Sequence, residues 1–139
     1  WVDQEGREMV AANRSDGMGI ERLRTLTNVQ TFVISRESNP VVEARCRKLK
    51  IGIQQNVQDK AAALKELLHE KKVAPDEVVY VGNDLNDLPC FPLVGYAAVP
   101  ADALEGIKRR ADFVLQKAGG FGAVREMCEL IIEKSSGNA

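Results

Sequence analysis

Short runs of β-branched and aromatic residues alternate in this sequence with longer stretches whose apolar residues recur at helical spacing. That alternation predicts βαβ units and a mainly parallel sheet covered by helices on both faces. Thr31-Phe32-Val33-Ile34-Ser35 reads as a buried strand and Ile51–Ile53 as a second, shorter one. Val78-Val79-Tyr80-Val81, ended by Gly82, is the clearest strand, and Gly95–Val99 and Asp112–Leu115 are two more. Between them, a helix from Gly17 to about Thr27 puts Ile20, Leu23 and Thr27 on one face. Asn39-Pro40 supplies an N-cap and a first-turn proline for a helix that turns Val42, Cys46 and Leu49 inward. Asp59 caps the next helix, striped by Leu64, Leu67 and Leu68, and a helical turn or two fits Ala101–Arg109. Val124, Met127, Cys128 and Ile131 form a closing amphipathic helix, with a frayed polar tail over Ser135–Ala139. Val2–Val10, with Gly6 in a polar turn, reads as a hairpin.

The 139 residues suit one domain, a hairpin flap over about 1–11 and a core over 17–134. Nineteen basic residues balance twenty acidic ones without a long basic run, which argues against a nucleic-acid or membrane surface. No apolar stretch approaches the roughly 20 residues that span a bilayer. Cys46, Cys90 and Cys128 lie in apolar helical contexts without metal-ligand spacing, so they read as buried thiols in a reducing, cytoplasmic protein. The sequence opens on Trp1 with no initiator Met, from which excision from a longer chain is expected.

In an open α/β sheet, ligands bind beyond the carboxyl ends of the strands. Two places qualify. Ser35, Arg36 and Glu37 follow the first strand, and Gly82-Asn83-Asp84-Leu85-Asn86-Asp87 follows the strand ending at Val81. The second place offers two carboxylates and two amides in five residues, the hard oxygen donors that Mg²⁺ prefers. An Asx-rich turn capping the next helix would use the same residues. Lys60, at a helix start, opposes the helix dipole slightly; it reads either as a solvated lysine or as a placed cation. His69 reads as a surface histidine. Arg14 and Asp16 could form a local salt bridge or touch a substrate, and the sequence favours neither.

Taken in order, Ser35, Lys60 and Gly82–Asp87 resemble three of the four motifs of the haloacid dehalogenase-type (HAD) phosphatases. The resemblance implies a Rossmann-like α/β core plus the N-terminal hairpin. It also implies roles: Ser35 binds the transferring phosphoryl group, Lys60 neutralises its charge, and Asn83, Asp84 and Asp87 hold Mg²⁺. The hairpin Trp1–Val10, the turn Arg14-Ser15-Asp16-Gly17-Met18-Gly19-Ile20 and the segment Gly119–Glu126 are similar to one subfamily. It contains the 3-deoxy-octulosonate (KDO) 8-phosphate phosphatases, the nonulosonate 9-phosphate phosphatases and the C-terminal domain of N-acylneuraminate cytidylyltransferases. Arg-Glu-Ser-Asn-Pro after Ser35, and Gly-Asn-Asp in place of Gly-Asp-Asp, lean toward the cytidylyltransferase-linked branch.

By that resemblance the activity is hydrolysis of a sugar-acid phosphate through an aspartyl-phosphate. Arg125, Arg14, Asp16 and Arg36 become substrate-binding candidates, a guanidinium suiting the sugar carboxylate. The family forms tetramers in which the hairpin helps assembly and a neighbour's C-terminal segment closes the site. Two departures stand out. Asn83 replaces the usual first aspartate of its motif, and no Asp-x-Asp, the family's nucleophile and acid/base pair, occurs anywhere in the sequence. In the subfamily that pair precedes the hairpin, on a central strand. Its absence predicts two unpaired strand edges, supported from outside this sequence or filled by another segment. The alternative function is a non-catalytic oligomerisation domain, fused to or cut from a cytidylyltransferase. A response-regulator-like or nucleotide-binding module lacks its glycine-rich phosphate loop.

Overall fold

The computed structural model describes residues 1–137. Helix α1 (Arg14–Leu26) starts three residues before the first glycine of the predicted turn, because Asn13 caps it, its side chain accepting from Ser15 N and Asp16 N. Then follow β1 (Phe32–Ile34), α2 (Pro40–Leu49), β2 (Gly52–Gln54), α3 (Lys60–Lys71), β3 (Val79–Val81), β4 (Tyr96–Val99), α4 (Glu105–Lys108), β5 (Phe113–Val114) and α5 (Ala123–Gly137). The predicted caps are in place: Asn39 accepts from Val41 N and Asp59 from Ala62 N. The expected hairpin is present: an antiparallel bridge joins Val2 to Glu8, flanked by Met9 N donating to Trp1 O at 2.9 Å and Asp3 N to Arg7 O at 3.0 Å. The predicted frayed tail is helical through Gly137, and its last two residues, Asn138 and Ala139, lie outside the described residues.

All three strand pairings are parallel, as crossover helices require: β1 with β2, β3 with β4, and β4 with β5. They form two sheets, with orders β1-β2 and β3-β4-β5. So, among the described residues, β1 and β3 each keep one edge without a ladder partner. The strand edges anticipated from the sequence are open, and the expectation that another segment of this chain fills the gap is not met. Ile34 of β1 nevertheless packs against the core cluster that holds Tyr80 of β3, so the two sheets share one interior.

Helices cover both faces. On one, Leu64, Tyr80, Cys90, Phe91, Val99 and Ile107 form the largest buried cluster. On the other, Ala98 and Leu115 meet Ala123 and Met127 of α5. Helices α1 and α5 pair through Ile20, Leu23, Cys128 and Ile132, with Leu49 and Ile51 against them, which ties this layer to the smaller sheet. Burying a side chain such as Ile107, wholly inaccessible here, stabilises the fold by about 2–3 kcal/mol. Val79 and Val81, by contrast, stay 38% and 40% exposed beside the open edge.

Cys46, Cys90 and Cys128 are free and buried, as expected. Burial raises all three thiols above their ordinary range, Cys128 to about 11. Since the thiolate is the nucleophile, native protein at pH 7.5 should leave all three unlabelled by iodoacetamide over an hour. Denatured protein should take up three labels by mass spectrometry. A labelled native cysteine would contradict the packing of its helix.

Candidate active site

The site assembles at the carboxyl ends of β1 and β3, where the topology places it. Beyond β1, Ser35 N donates to Gln54 O at 2.9 Å and Ser35 O accepts from Val57 N at 2.9 Å, so two adjacent loops are laced together. Asn56 N donates to Glu37 O, and Gln55 Nε2 donates to Ser38 O at 3.2 Å. Asn56 sits at φ 58°, a left-handed position that asparagine tolerates better than most residues. Ser35 Oγ accepts from Glu37 N at 3.1 Å, which leaves the hydroxyl proton free to donate. The second loop ends at Asp59, and α3 begins immediately with Lys60.

Lys60 is not a solvated lysine. Its side chain is 12% exposed, and Nζ donates to Asp87 Oδ1 at 2.8 Å, with Asp87 3% exposed. Tyr80 donates its hydroxyl to the same oxygen at 2.6 Å. Asp87 Oδ2 accepts from Asn83 N at 2.9 Å and Asp84 N at 3.2 Å. The carboxylate therefore fills its usual four acceptor directions within the protein. Burial works to raise the Asp87 carboxyl. The bonds from Lys60, Tyr80 and Asn83 outweigh it, so the group titrates below the ordinary carboxylate range.

A carboxyl depressed on folding stabilises the protein above its unfolded value near 4, and loses that contribution as pH falls through the folded value. Melting temperature should therefore fall more steeply from pH 5 to pH 2.5 in the native protein than in Asp87→Asn. Parallel profiles would show that Asp87 is not held as described.

The Asn-Asp turn divides into two functions. Asp87 braces the loop and holds Lys60, while Asp84 caps the 3-10 segment Leu85–Leu93, its Oδ1 accepting from Leu85 N at 2.7 Å. The capping reading of the turn is thus met at Asp84 and Asp87. Asn83 and Asp84 are exposed, and the Asn83 side chain makes no hydrogen bond among the described residues. Asn86 Oδ1, in the same turn, is buried without a partner. These hard oxygens fit a partial Mg²⁺ shell of the kind completed by water and phosphate. No cluster of three His, Cys, Asp or Glu able to hold a metal exists among the described residues.

The substrate-binding candidates separate into two places. Arg36 stays beside Ser35, its Nη2 3.4 Å from Gln58 Oε1. Arg14, Asp16 and Arg125 lie where α1 meets α5. Asp16 makes no salt bridge with Arg14; its Oδ1 accepts from Arg125 N at 2.9 Å. The Arg125 guanidinium donates to Glu129 at 2.9 Å and to Ser15 at 3.4 Å. No hydrogen bond among the described residues joins this group to Lys60, Ser35 or Asp84. Sequence reasoning missed Tyr80 as a site residue. Its signal was a phenol between two valines in a strand, since a buried hydroxyl needs a partner.

Residues 44–127 match the model of the haloacid dehalogenase-like hydrolases. The chain belongs to that family. The 3-deoxy-D-manno-octulosonate 8-phosphate phosphatase of Salmonella typhi is 38% identical over 133 residues, 95% of this chain and 70% of that protein. Among solved HAD structures, the cobalt-bound deoxy-D-mannose-octulosonate 8-phosphate phosphatase of Haemophilus influenzae superposes with TM-score 0.91 at 30% identity, covering 96% of this chain and 78% of that one. A 3-deoxy-D-manno-octulosonate 8-phosphate phosphatase of Moraxella catarrhalis, in complex with magnesium, phosphate and KDO, gives TM-score 0.90 at 31% identity, covering 96% and 76%. Both HAD relatives carry a divalent or transition metal ion, consistent with a metal-dependent site. The link to a cytidylyltransferase has no counterpart in these relatives.

Proposed function

We propose that this chain carries the phosphoryl-binding site of a Mg²⁺-dependent phosphatase acting on 3-deoxy-D-manno-octulosonate 8-phosphate. The observation that carries the reading is the anchored Lys60 ammonium, held by Asp87, with Ser35 following β1, in a chain related to such phosphatases. Lys60 has two further hydrogens to offer a phosphoryl oxygen, and the Ser35 hydroxyl has one. Together they orient the phosphoryl group and offset its charge, the main catalytic work in phosphoryl transfer. Asn83 and Asp84 would hold Mg²⁺, which supplies charge neutralisation at the phosphoryl oxygens when bound.

The attacking group in this reading is an aspartate on an extended segment seated between β1 and β3. Its carboxylate forms a bond to phosphorus as the sugar oxygen leaves, and water then hydrolyses the aspartyl-phosphate. The two free parallel edges support that placement, and no Asp-x-Asp of this sequence can fill it. Arg125, Arg14, Asp16 and Arg36 remain the candidates for the sugar-acid end. The exposed Trp1, Val2, Met9 and Val10 of the hairpin support assembly into the homotetramer that the resemblance implies.

The second reading, a non-catalytic oligomerisation domain linked to a cytidylyltransferase, is favoured by Asn83 and by the missing Asp-x-Asp. Phosphate release from KDO 8-phosphate and from N-acylneuraminate 9-phosphate separates the two. It should be measured with Mg²⁺ and with EDTA, with and without an added apolar peptide bearing Asp-x-Asp. The phosphatase reading predicts release that needs metal and peptide and favours the KDO ester. Folded protein that releases nothing under any condition supports the oligomerisation domain. Release without the peptide would mean that a carboxylate of this chain attacks.

A further inference from the structure

We propose that Tyr80 is a positioning residue of this site, its hydroxyl holding Asp87 so that the Lys60 ammonium faces the phosphoryl group. The inference rests on the phosphatase reading for its purpose, but its geometry stands on four hydrogen bonds to Asp87. Lysine is a compact charge on a four-carbon stem and loses considerable rotamer freedom when fixed. Something rigid must hold its partner. Asp87 lies in the first turn of the 3-10 segment; its Oδ2 is fixed by two loop amides, and its Oδ1 is shared between Tyr80 and Lys60.

Tyr80 alone ties that oxygen to the sheet. It sits in the middle of β3, buried, with its ring against Phe91 edge-on at 6.1 Å between centroids. Burial and the neighbouring Asp87 carboxylate raise the Tyr80 hydroxyl well above its ordinary range, so it remains a proton donor to that oxygen. It also takes up part of the carboxylate's acceptor strength.

Removing only the hydroxyl, in Tyr80→Phe, leaves the ring and its packing. In protein labelled with ¹⁵N, a held, shielded lysine ammonium exchanges slowly and gives a distinct Nζ correlation, here assigned by its loss in Lys60→Arg. The proposal predicts that this signal is present in the native protein, disappears in folded Tyr80→Phe, and survives in Phe91→Leu, which disturbs the packing but keeps the hydroxyl. Affinity for inorganic phosphate, followed by isothermal titration, should fall about tenfold in Tyr80→Phe, as expected for a lost hydrogen bond to a charged group.

Absence of the signal in the native protein, its persistence in Tyr80→Phe, or its loss in Phe91→Leu as well would overturn the proposal. Should Tyr80→Phe fail to fold, 3-fluorotyrosine at position 80 changes the donor strength alone and must shift the Lys60 signal; an unmoved signal overturns it too. A native protein whose Lys60 signal depends on Tyr80 but which binds no phosphate refutes the phosphatase reading, and supports the hold of Tyr80 on Lys60.

Discussion

Gly82→Ala is expected to melt roughly 10 °C below the native protein and to lose the bracing of Asp87. Gly82 is needed for space, since its φ is not in the left-handed region. A Cβ there would sit 2.6 Å from both Cβ and Cγ of Asp87 and 2.8 Å from its Oδ2. Asp87 cannot yield easily, because four hydrogen bonds hold it in place. Moving it breaks the bonds from Asn83 N and Asp84 N and pulls Oδ1 away from Lys60 and Tyr80. Overpacking costs about 1–3 kcal/mol and each weakened bond to the carboxylate adds about 1 kcal/mol. Thermal melting at pH 7, with Gly106→Ala as a control at an open position, checks this. Equal melting temperatures would mean that the loop does not close on Gly82 as described.

Lys60→Ala should be damaging in two separable ways. It leaves Asp87, 3% exposed, without its counter-ion, and breaking a buried pair costs about 3–5 kcal/mol. Three donors to Asp87 remain, so the lower end of that range is expected. The second effect is functional: where the assembled site turns over, loss of a placed cation should lower kcat by about 10²–10³-fold. The double variant Lys60→Ala with Asp87→Ala removes both charges. It should recover none of the activity and little of the stability, because Asn83 N, Asp84 N and the Tyr80 hydroxyl lose their acceptor as well. Recovery of activity would place Lys60 outside the chemistry, and denaturant titration beside a phosphate-release assay reads both effects.

Much of this architecture was visible in local patterns. The Asn39-Pro40 and Asp59 starts, the stripe containing Leu64 and Leu67, and the run Val78–Val81 depend on neighbours in the chain, and each lies within a residue or two of its prediction. The cap at Asn13 was missed because nothing apolar follows it for several residues. The hairpin was legible from Gly6 in a polar turn between two short extended pieces. The site was legible as residue types at strand ends and illegible as geometry. Which carboxylate of the turn faces Lys60, and which stays exposed, depends on the fold of the 85–93 segment over α3. That segment contains Pro89 and Pro92, which exclude a regular helix. Tyr80 joined the site only once β3 had turned it toward α3.

The central claim, that Ser35, Lys60, Asn83 and Asp84 share one phosphoryl site, is most directly tested by titrating the ¹⁵N-labelled protein with inorganic phosphate in Mg²⁺. Backbone and lysine signals would be followed together. The account predicts saturable shifts at Ser35–Glu37, Lys60 and Asn83–Asp84, with the last pair dependent on Mg²⁺. Saturable shifts elsewhere, such as around Lys65, His69 and Lys72 on the outer groove of α3, or none at all in folded protein, would contradict it.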